Sequence, residues 1–233
     1  MGRLLEELDY RPTAMGPLVL RRRWVAAIDT DVVEVILGDE HLMSSLFTVG
    51  ETELAVRGLA SASGTDLRVL VGGLGLGYTA REALADPRVA SVEVVDALAP
   101  VIEWHQAGLV PLGQSLGRES RCRLVLGDFF GWFETRRPAD AAYDVVLVDI
   151  DHSPRNLLHP DHARFYSREG LVRLRQGLAA NGVFAMWSDE GPDPTFWLSW
   201  NRSSRPSART SSPSTTPSPA DRRPAPSIWR DRC

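Results

Sequence analysis

Between residues 67 and 188, short β-branched runs alternate with longer stretches of helical spacing, the pattern of a mostly parallel sheet with helices on both faces. The runs 67–71 (LRVLV), 91–95 (SVEVV), 123–126 (RLVL), 143–148 (YDVVLV) and 183–187 (VFAMW) are nearly continuous in apolar residues, as strands buried on both faces are. Helices are predicted over 78–85, 99–105, 129–135 and 167–178. The last carries Leu171, Leu174 and Leu178 at helical spacing and stops before Asn181-Gly182. Upstream, 18–20, 26–28 and 32–37 are short and rich in Val, Ile and Leu between Arg, Asp and Gly turns, which predicts a small antiparallel sheet. Residues 41–60 read as a helix leading into the main unit. The expected fold class is α/β, a Rossmann-like, mostly parallel sheet preceded by a small N-terminal β element. It divides into 1–60 (β element and lead-in helix), 61–200 (α/β domain) and 201–233 (tail).

The tail breaks the pattern. It holds 8 Ser, 6 Pro, 7 Arg and 3 Thr with almost no apolar spacing, too little buried surface to offset its ordering entropy. Disorder is one reading. A frameshift is the other, since the globular pattern stops abruptly near residues 196–200 and a Ser/Pro/Arg-rich string is what GC-rich coding DNA yields in a wrong frame.

The formal charge of -4 conceals two regimes. Residues 1–200 carry 19 Arg against 28 acidic residues, and the tail carries 7 Arg against 2 Asp. Every basic residue is Arg, so a P-loop lysine, a Schiff base and a lysine general base are excluded. The acidic body argues against nucleic acid as a partner, because phosphate contacts need a basic face. Arg21-Arg22-Arg23 is short enough to be solvated surface. Small cationic or neutral substrates fit better. Two cysteines build no disulfide framework, the first ten residues lack the order of a secretory signal, and no apolar run approaches the ~20 residues that span a bilayer. No membrane partner and a cytoplasmic location are expected.

The strongest chemical signal is Gly72-Gly73-Leu74-Gly75-Leu76-Gly77, which ends a buried strand and opens a helix. Gly73, Gly75 and Gly77 let the backbone turn sharply and approach a ligand. Their G-x-G-x-G spacing differs from the pyrophosphate-binding G-x-G-x-x-G and suits a nucleoside with a sulfonium or amino-acid tail. Acidic residues then recur at strand ends, where open α/β sheets collect ligands. Asp96 closes the second strand, 19 residues after Gly77, and is placed to accept from ribose hydroxyls or to cap the next helix. Asp128, after Gly127, is placed to accept from an adenine amino group and to cap the helix over 129–135. Asp149 and Asp151 end the fourth strand beside His152, a site for binding or deprotonating an amine or else a capped turn before Pro154. His152, His159 and His162 with Asp161 match no common metal-ligand spacing, and no metal is expected.

These residues resemble the spermidine synthase (polyamine aminopropyltransferase) family, a branch of the class I S-adenosylmethionine-dependent methyltransferase fold. The resemblance covers roughly residues 15–190. It rests on the GGLGLG loop, Asp96, Gly127-Asp128, the strand ending in Asp149, Phe165-Tyr166-Ser167-Arg168-Glu169, and the leading β element. It implies that Gly73, Gly75, Gly77 and Asp96 hold the nucleoside, that Gly127-Asp128 holds adenine, and that Asp149 takes a proton from the attacking amine with Asp151 helping to hold the cation. It also implies decarboxylated S-adenosylmethionine as co-substrate, an amine acceptor and a homodimer. Three departures stand out. Gly75 occupies the place of a loop Asp, Val49-Gly50-Glu51-Thr52-Glu53 stands where the family has Tyr-His-Glu, and Asp151-His152-Ser153-Pro154 replaces the end of Asp-Ser-Ser-Asp-Pro. Two alternatives follow. One is a small-molecule methyltransferase using intact S-adenosylmethionine, whose carboxylate the loop amides, Tyr78 or Thr79 would bind. The other is a noncatalytic nucleoside-binding protein whose fifth strand, if later strands are lost, is an exposed edge.

Overall fold

Alternating apolar and polar residues fold the first 44 positions into an antiparallel sheet of β1 (Leu5–Thr13), β2 (Gly16–Val25), β3 (Thr30–Leu37) and β4 (Glu40–Ser44), in that spatial order. The computed structural model describes residues 4–135, 142–190, 193–203 and 229–232. Leu18, Leu20, Val33, Val35 and Leu37 face the core. Two expectations change here. Residues 26–28 form the turn joining β2 to β3. Residues 41–60 are not one helix, because His41 and Met43 pair with Ile36 and Val35 of β3, and α1 starts only at Val49 (Val49–Ser61).

The α/β unit follows as β5 (Leu67–Gly72), α2 (Tyr78–Ala85), β6 (Val89–Asp96), α3 (Ala99–Gln106), α4 (Gly113–Arg118), β7 (Cys122–Leu126), α5 (Trp132–Thr135), β8 (Tyr143–Val148), α6 (Ala163–Tyr166), α7 (Arg168–Gly177), β9 (Leu178–Met186), α8 (Pro194–Ser203) and β10 (Trp229–Arg232). The sheet order is β10-β9-β8-β5-β6-β7, with β5 to β9 parallel. All five predicted strands are present. Because the chain leaves β5 toward β6 on one side and later returns to β8 on the other, the carboxyl ends of β5 and β8 flank the topological switch point. Alternation along β5 feeds two cores. Val69 and Val71 join the side packed against α1 and the N-terminal sheet, while Leu70 joins Phe129, Phe165, Leu174 and Trp200 on the other.

The predicted helix over 129–135 is shorter, since residues 129–131 form the turn in which Asp128 accepts from Phe130 N–H at 2.9 Å. α7 is capped by Ser167, whose Oγ accepts from Gly170 N–H at 3.1 Å. Beyond β9, α8 extends the globular part through Ser203, with Phe196 and Trp200 buried and the Trp200 ring 5.1 Å from Phe184. β10 pairs antiparallel with β9, so the fifth strand is not an exposed edge. Most of the tail read as disordered or frame-shifted, 204–228, lies outside the described residues.

Inside the N-terminal sheet Glu34 is buried between Arg21 at 2.7 Å and Arg23 at 2.9 Å. Burial alone would raise its pKa, but the two guanidinium groups overcome this and hold it at about 2 instead of 4.5. A carboxylate depressed in the folded state stabilises fully above its unfolded pKa and loses that contribution as pH falls through its folded value. Glu34→Gln is therefore expected to destabilise the protein at pH 7 by up to about 3 kcal/mol, with the deficit shrinking between pH 4.5 and 2. Urea melts at neutral and acid pH measure both.

Candidate functional site

The site forms where β5 gives way to the glycine loop. Gly73 has φ +90°, and a Cβ there would lie 2.3 Å from the Asp149 carbonyl oxygen. Only glycine permits both that conformation and that approach. Asp149 N–H donates to the Gly72 carbonyl at 2.9 Å, which sets the end of β8 directly against the loop.

The loop's own amides are engaged. Gly73 N–H bonds the Val95 carbonyl at 2.9 Å, and Gly77 N–H bonds the Leu74 carbonyl at 2.8 Å. Leu74 N–H bonds Asp96 Oδ2 at 2.8 Å. Leu76 N–H reaches the Met43 sulfur at 2.8 Å. Asp96 Oδ1 accepts from Leu98 N–H at 2.8 Å, so one carboxylate ties the loop to the start of α3. Burial raises the Asp96 pKa and these amides oppose the rise. Beneath the loop, buried His105 places Nε2 3.0 Å from the Gly75 carbonyl. That bond puts the proton on Nε2, and burial lowers the His105 pKa in keeping with a neutral ring.

Two cavities adjoin here. The first, about 120 Å³, is lined by Gly73, Gly75, Asp96, Asp128, Asp149 and His162 among others. The second, about 360 Å³, is lined by Phe47, Glu51, Asp149, His152 and Trp187 among others. They share Leu42, Met43, Gly75, Asp149 and Ile150. Asp149 thus stands at the junction. Burial raises its pKa, and a 2.7 Å hydrogen bond from the Thr79 hydroxyl works against the rise.

Asp128 is exposed at the far end of the first cavity, where Oδ1 accepts from Phe130 N–H and Oδ2 pairs with Arg164. Gly77 and Gly127 line neither cavity. Gly77 packs under Leu116 at the start of α2, and Gly127 N–H bonds the Asp96 carbonyl at 2.9 Å, aligning the ends of β6 and β7. Asp151 is buried, and its carboxylate is taken up by Leu158 N–H, His162 and Tyr166. It borders the second cavity as a brace for neighbouring segments.

No family model matches the chain. It is 32% identical to polyamine aminopropyltransferase 2 of Streptomyces coelicolor over 179 residues, covering 69% of this chain and 30% of the relative. It is 29% identical to the polyamine aminopropyltransferase of Pyrobaculum calidifontis over 161 residues, covering 68% of this chain and 54% of the relative. The chain is a homologue of the polyamine aminopropyltransferases. Its fold matches a spermidine synthase solved with the transition-state analogue AdoDATO, at TM-score 0.63 and 17% identity over 84% of this chain and 62% of that one. The Thermotoga maritima spermidine synthase matches at 0.62 and 17%, over 84% and 61%. The chain therefore spans between about a third and two thirds of these proteins.

In this aminopropyltransferase homologue three wall residues escaped the sequence reading. Met43 was assigned to a helix. Glu51 was noted only as part of a departing segment, although an acid in the first turn after Gly50 was its visible signal. Gly50 packs so closely on Trp187 that a Cβ would come within 2.9 Å of the ring, which brings Glu51 to the second cavity. There burial and the nearby Asp149 raise its pKa to about 7. His162 was read as a loop histidine. Among the described residues no three His, Cys, Asp or Glu side chains gather as a metal site, and no helix is long and apolar enough to cross a membrane.

Gly73→Ala is expected to cost at least ~2 kcal/mol, from the positive φ and the collision with the Asp149 carbonyl. It should abolish nucleoside binding at temperatures where the variant remains folded. Thermal melts with and without nucleoside test this.

Proposed function

We propose that this chain transfers an aminopropyl group from decarboxylated S-adenosylmethionine to an amine, with the nucleoside in the first cavity and the acceptor in the second. The observation that carries this is the charge of the walls. Asp96, Asp128, Asp149 and Glu51 line the two cavities, and among the described residues no Arg does. The chain has no Lys. An intact S-adenosylmethionine would bring a carboxylate into this acidic junction, where the loop amides and the Thr79 hydroxyl already have partners. Unpaired and facing like charges, that carboxylate would be strongly disfavoured. A decarboxylated tail ending in an ammonium meets the opposite situation. The methyltransferase reading is correspondingly weaker.

In this reading Asp96 keeps lone pairs beyond its backbone bonds for ribose hydroxyls, and Asp128 accepts from adenine. Asp149, common to both cavities, removes a proton from the acceptor ammonium. The freed nitrogen lone pair attacks the carbon beside sulfur as the C–S bond breaks. Its electron pair returns to sulfur, the sulfonium becomes a neutral thioether, and the positive charge passes to the product nitrogen. Because sulfonium is a good leaving group, the remaining work is alignment and exclusion of water. Glu51 adds a second carboxylate that favours a cationic acceptor. Asp151 acts indirectly, through the segments it braces.

Calorimetric titration is expected to show binding of decarboxylated S-adenosylmethionine at least about tenfold tighter than of the intact compound. The reverse preference would overturn the assignment in favour of methyl transfer. Asp149→Asn should reduce turnover by about 10²–10⁴-fold while leaving nucleoside affinity nearly unchanged; retained turnover would remove Asp149 as the base.

A further inference from the structure

Asp151 is only 2% exposed, yet its carboxylate is almost fully used. Oδ1 accepts from Leu158 N–H at 2.8 Å and lies 2.7 Å from His162 Nδ1, while Oδ2 accepts from the Tyr166 hydroxyl at 2.9 Å. Burial and the charge of Asp151 push the Tyr166 hydroxyl well above its usual pKa, so it remains a donor. An ionised carboxylate only accepts, so the hydrogen shared with it sits on His162 Nδ1, and Nε2 is the ring nitrogen left for another partner.

The ring is held as firmly as its tautomer. Its centroid is 4.0 Å from that of Phe130, tilted by 33°. His162, Phe130, Leu158 and Asp128 all line the first cavity, and Phe130 links the pair, its ring against His162 and its N–H on Asp128. Asp128 already accepts from Phe130 N–H and from Arg164, so its capacity toward a ligand is reduced. An exocyclic amino group carries two N–H bonds. The two N–H bonds point in different directions, so the lone pairs left on Asp128 can take one of them and the other needs an acceptor elsewhere.

We propose that His162 Nε2 is a second acceptor for the nucleobase, taking one N–H of a purine 6-amino group beside Asp128, so that the cavity selects 6-amino over 6-oxo purines. The inference rests on the reading above that this cavity holds an adenine nucleoside. A 6-oxo purine would set its own acceptor oxygen against Nε2 and Asp128, an acceptor-to-acceptor mismatch that leaves polar groups of the site unpaired. Asp151 and Tyr166 are positioning residues, acting through the tautomer they fix.

The test compares 5′-methylthioadenosine with 5′-methylthioinosine by calorimetry on the full chain. The unsubstituted protein should prefer the amino compound by at least about a hundredfold. His162→Phe keeps a ring on Phe130 but removes the acceptor, and should lower that ratio about tenfold. His162→Gln, which restores an acceptor, should recover part of it. Independently of any variant, the ¹⁵N resonance of His162 Nε2 should move upfield on addition of 5′-methylthioadenosine and stay in place with 5′-methylthioinosine, and it decides the matter if His162→Phe does not fold. An unchanged ratio in folded His162→Phe, or an Nε2 resonance indifferent to the amino compound, would overturn the role of His162 alone. Failure of the unsubstituted protein to bind either nucleoside would overturn the nucleoside reading and this inference together.

Discussion

The backbone contact between residue 73 and the carbonyl of Asp149 governs the architecture of the site. Two parallel strands end side by side at a switch point, and their carboxyl ends must approach closely enough for a loop from one to pass over the other. At 2.3 Å from a would-be Cβ, that passage admits no side chain. The consequences spread outward. With the loop forced through this gap, its next amide meets Asp96, its central carbonyl meets His105, and Asp149 is left where the two cavities join. The two cavities meet at Asp149 because the backbone permits one crossing there.

Electrostatics then do what shape alone would not. Nearly every hydrogen-bond donor of the loop is satisfied internally, so the walls offer a ligand acceptors far more than donors. Such a surface favours cations and hydroxyls and rejects carboxylates. Burial raises the pKa of Asp96, Asp149 and Glu51 alike, and backbone amides at Asp96 and the Thr79 hydroxyl at Asp149 work against that rise. Fully partnered Asp151 shows the opposite use of a carboxylate, ordering its neighbours.

Residues whose position follows from strand order were legible in the sequence. Asp96, Asp128 and Asp149 each close a strand whose apolar run is unmistakable, and the glycine loop announces its turn, so periodicity alone brings them to one sheet edge. Met43, Glu51 and His162 were not. Met43 belongs to a five-residue edge strand too short for alternation to outweigh helical propensity, and its partner Val35 is defined only by tertiary pairing. Glu51 reaches the cavity because Gly50 allows α1 to press on Trp187, a contact between positions far apart in the chain. His162 is set on the cavity wall by its bond to Asp151, a buried carboxylate that the sequence marks as a ligand-binding residue. The sequence spacing of these groups carries no trace of their proximity.

The sulfur of Met43 hangs from the N-terminal sheet yet accepts a hydrogen bond from the loop of the α/β unit, and Met43 walls both cavities. The two sheets are therefore not separable modules with a ligand resting on one of them. Loosening the antiparallel sheet would open the junction, and ligand release and sheet fraying become steps of one thermodynamic cycle. By mass action a ligand seated there stabilises the antiparallel sheet as well as the unit that binds it, by ~2.7 kcal/mol at a hundred times its dissociation constant. Occupancy thereby adds to a cooperativity that the shared core of the two sheets already provides.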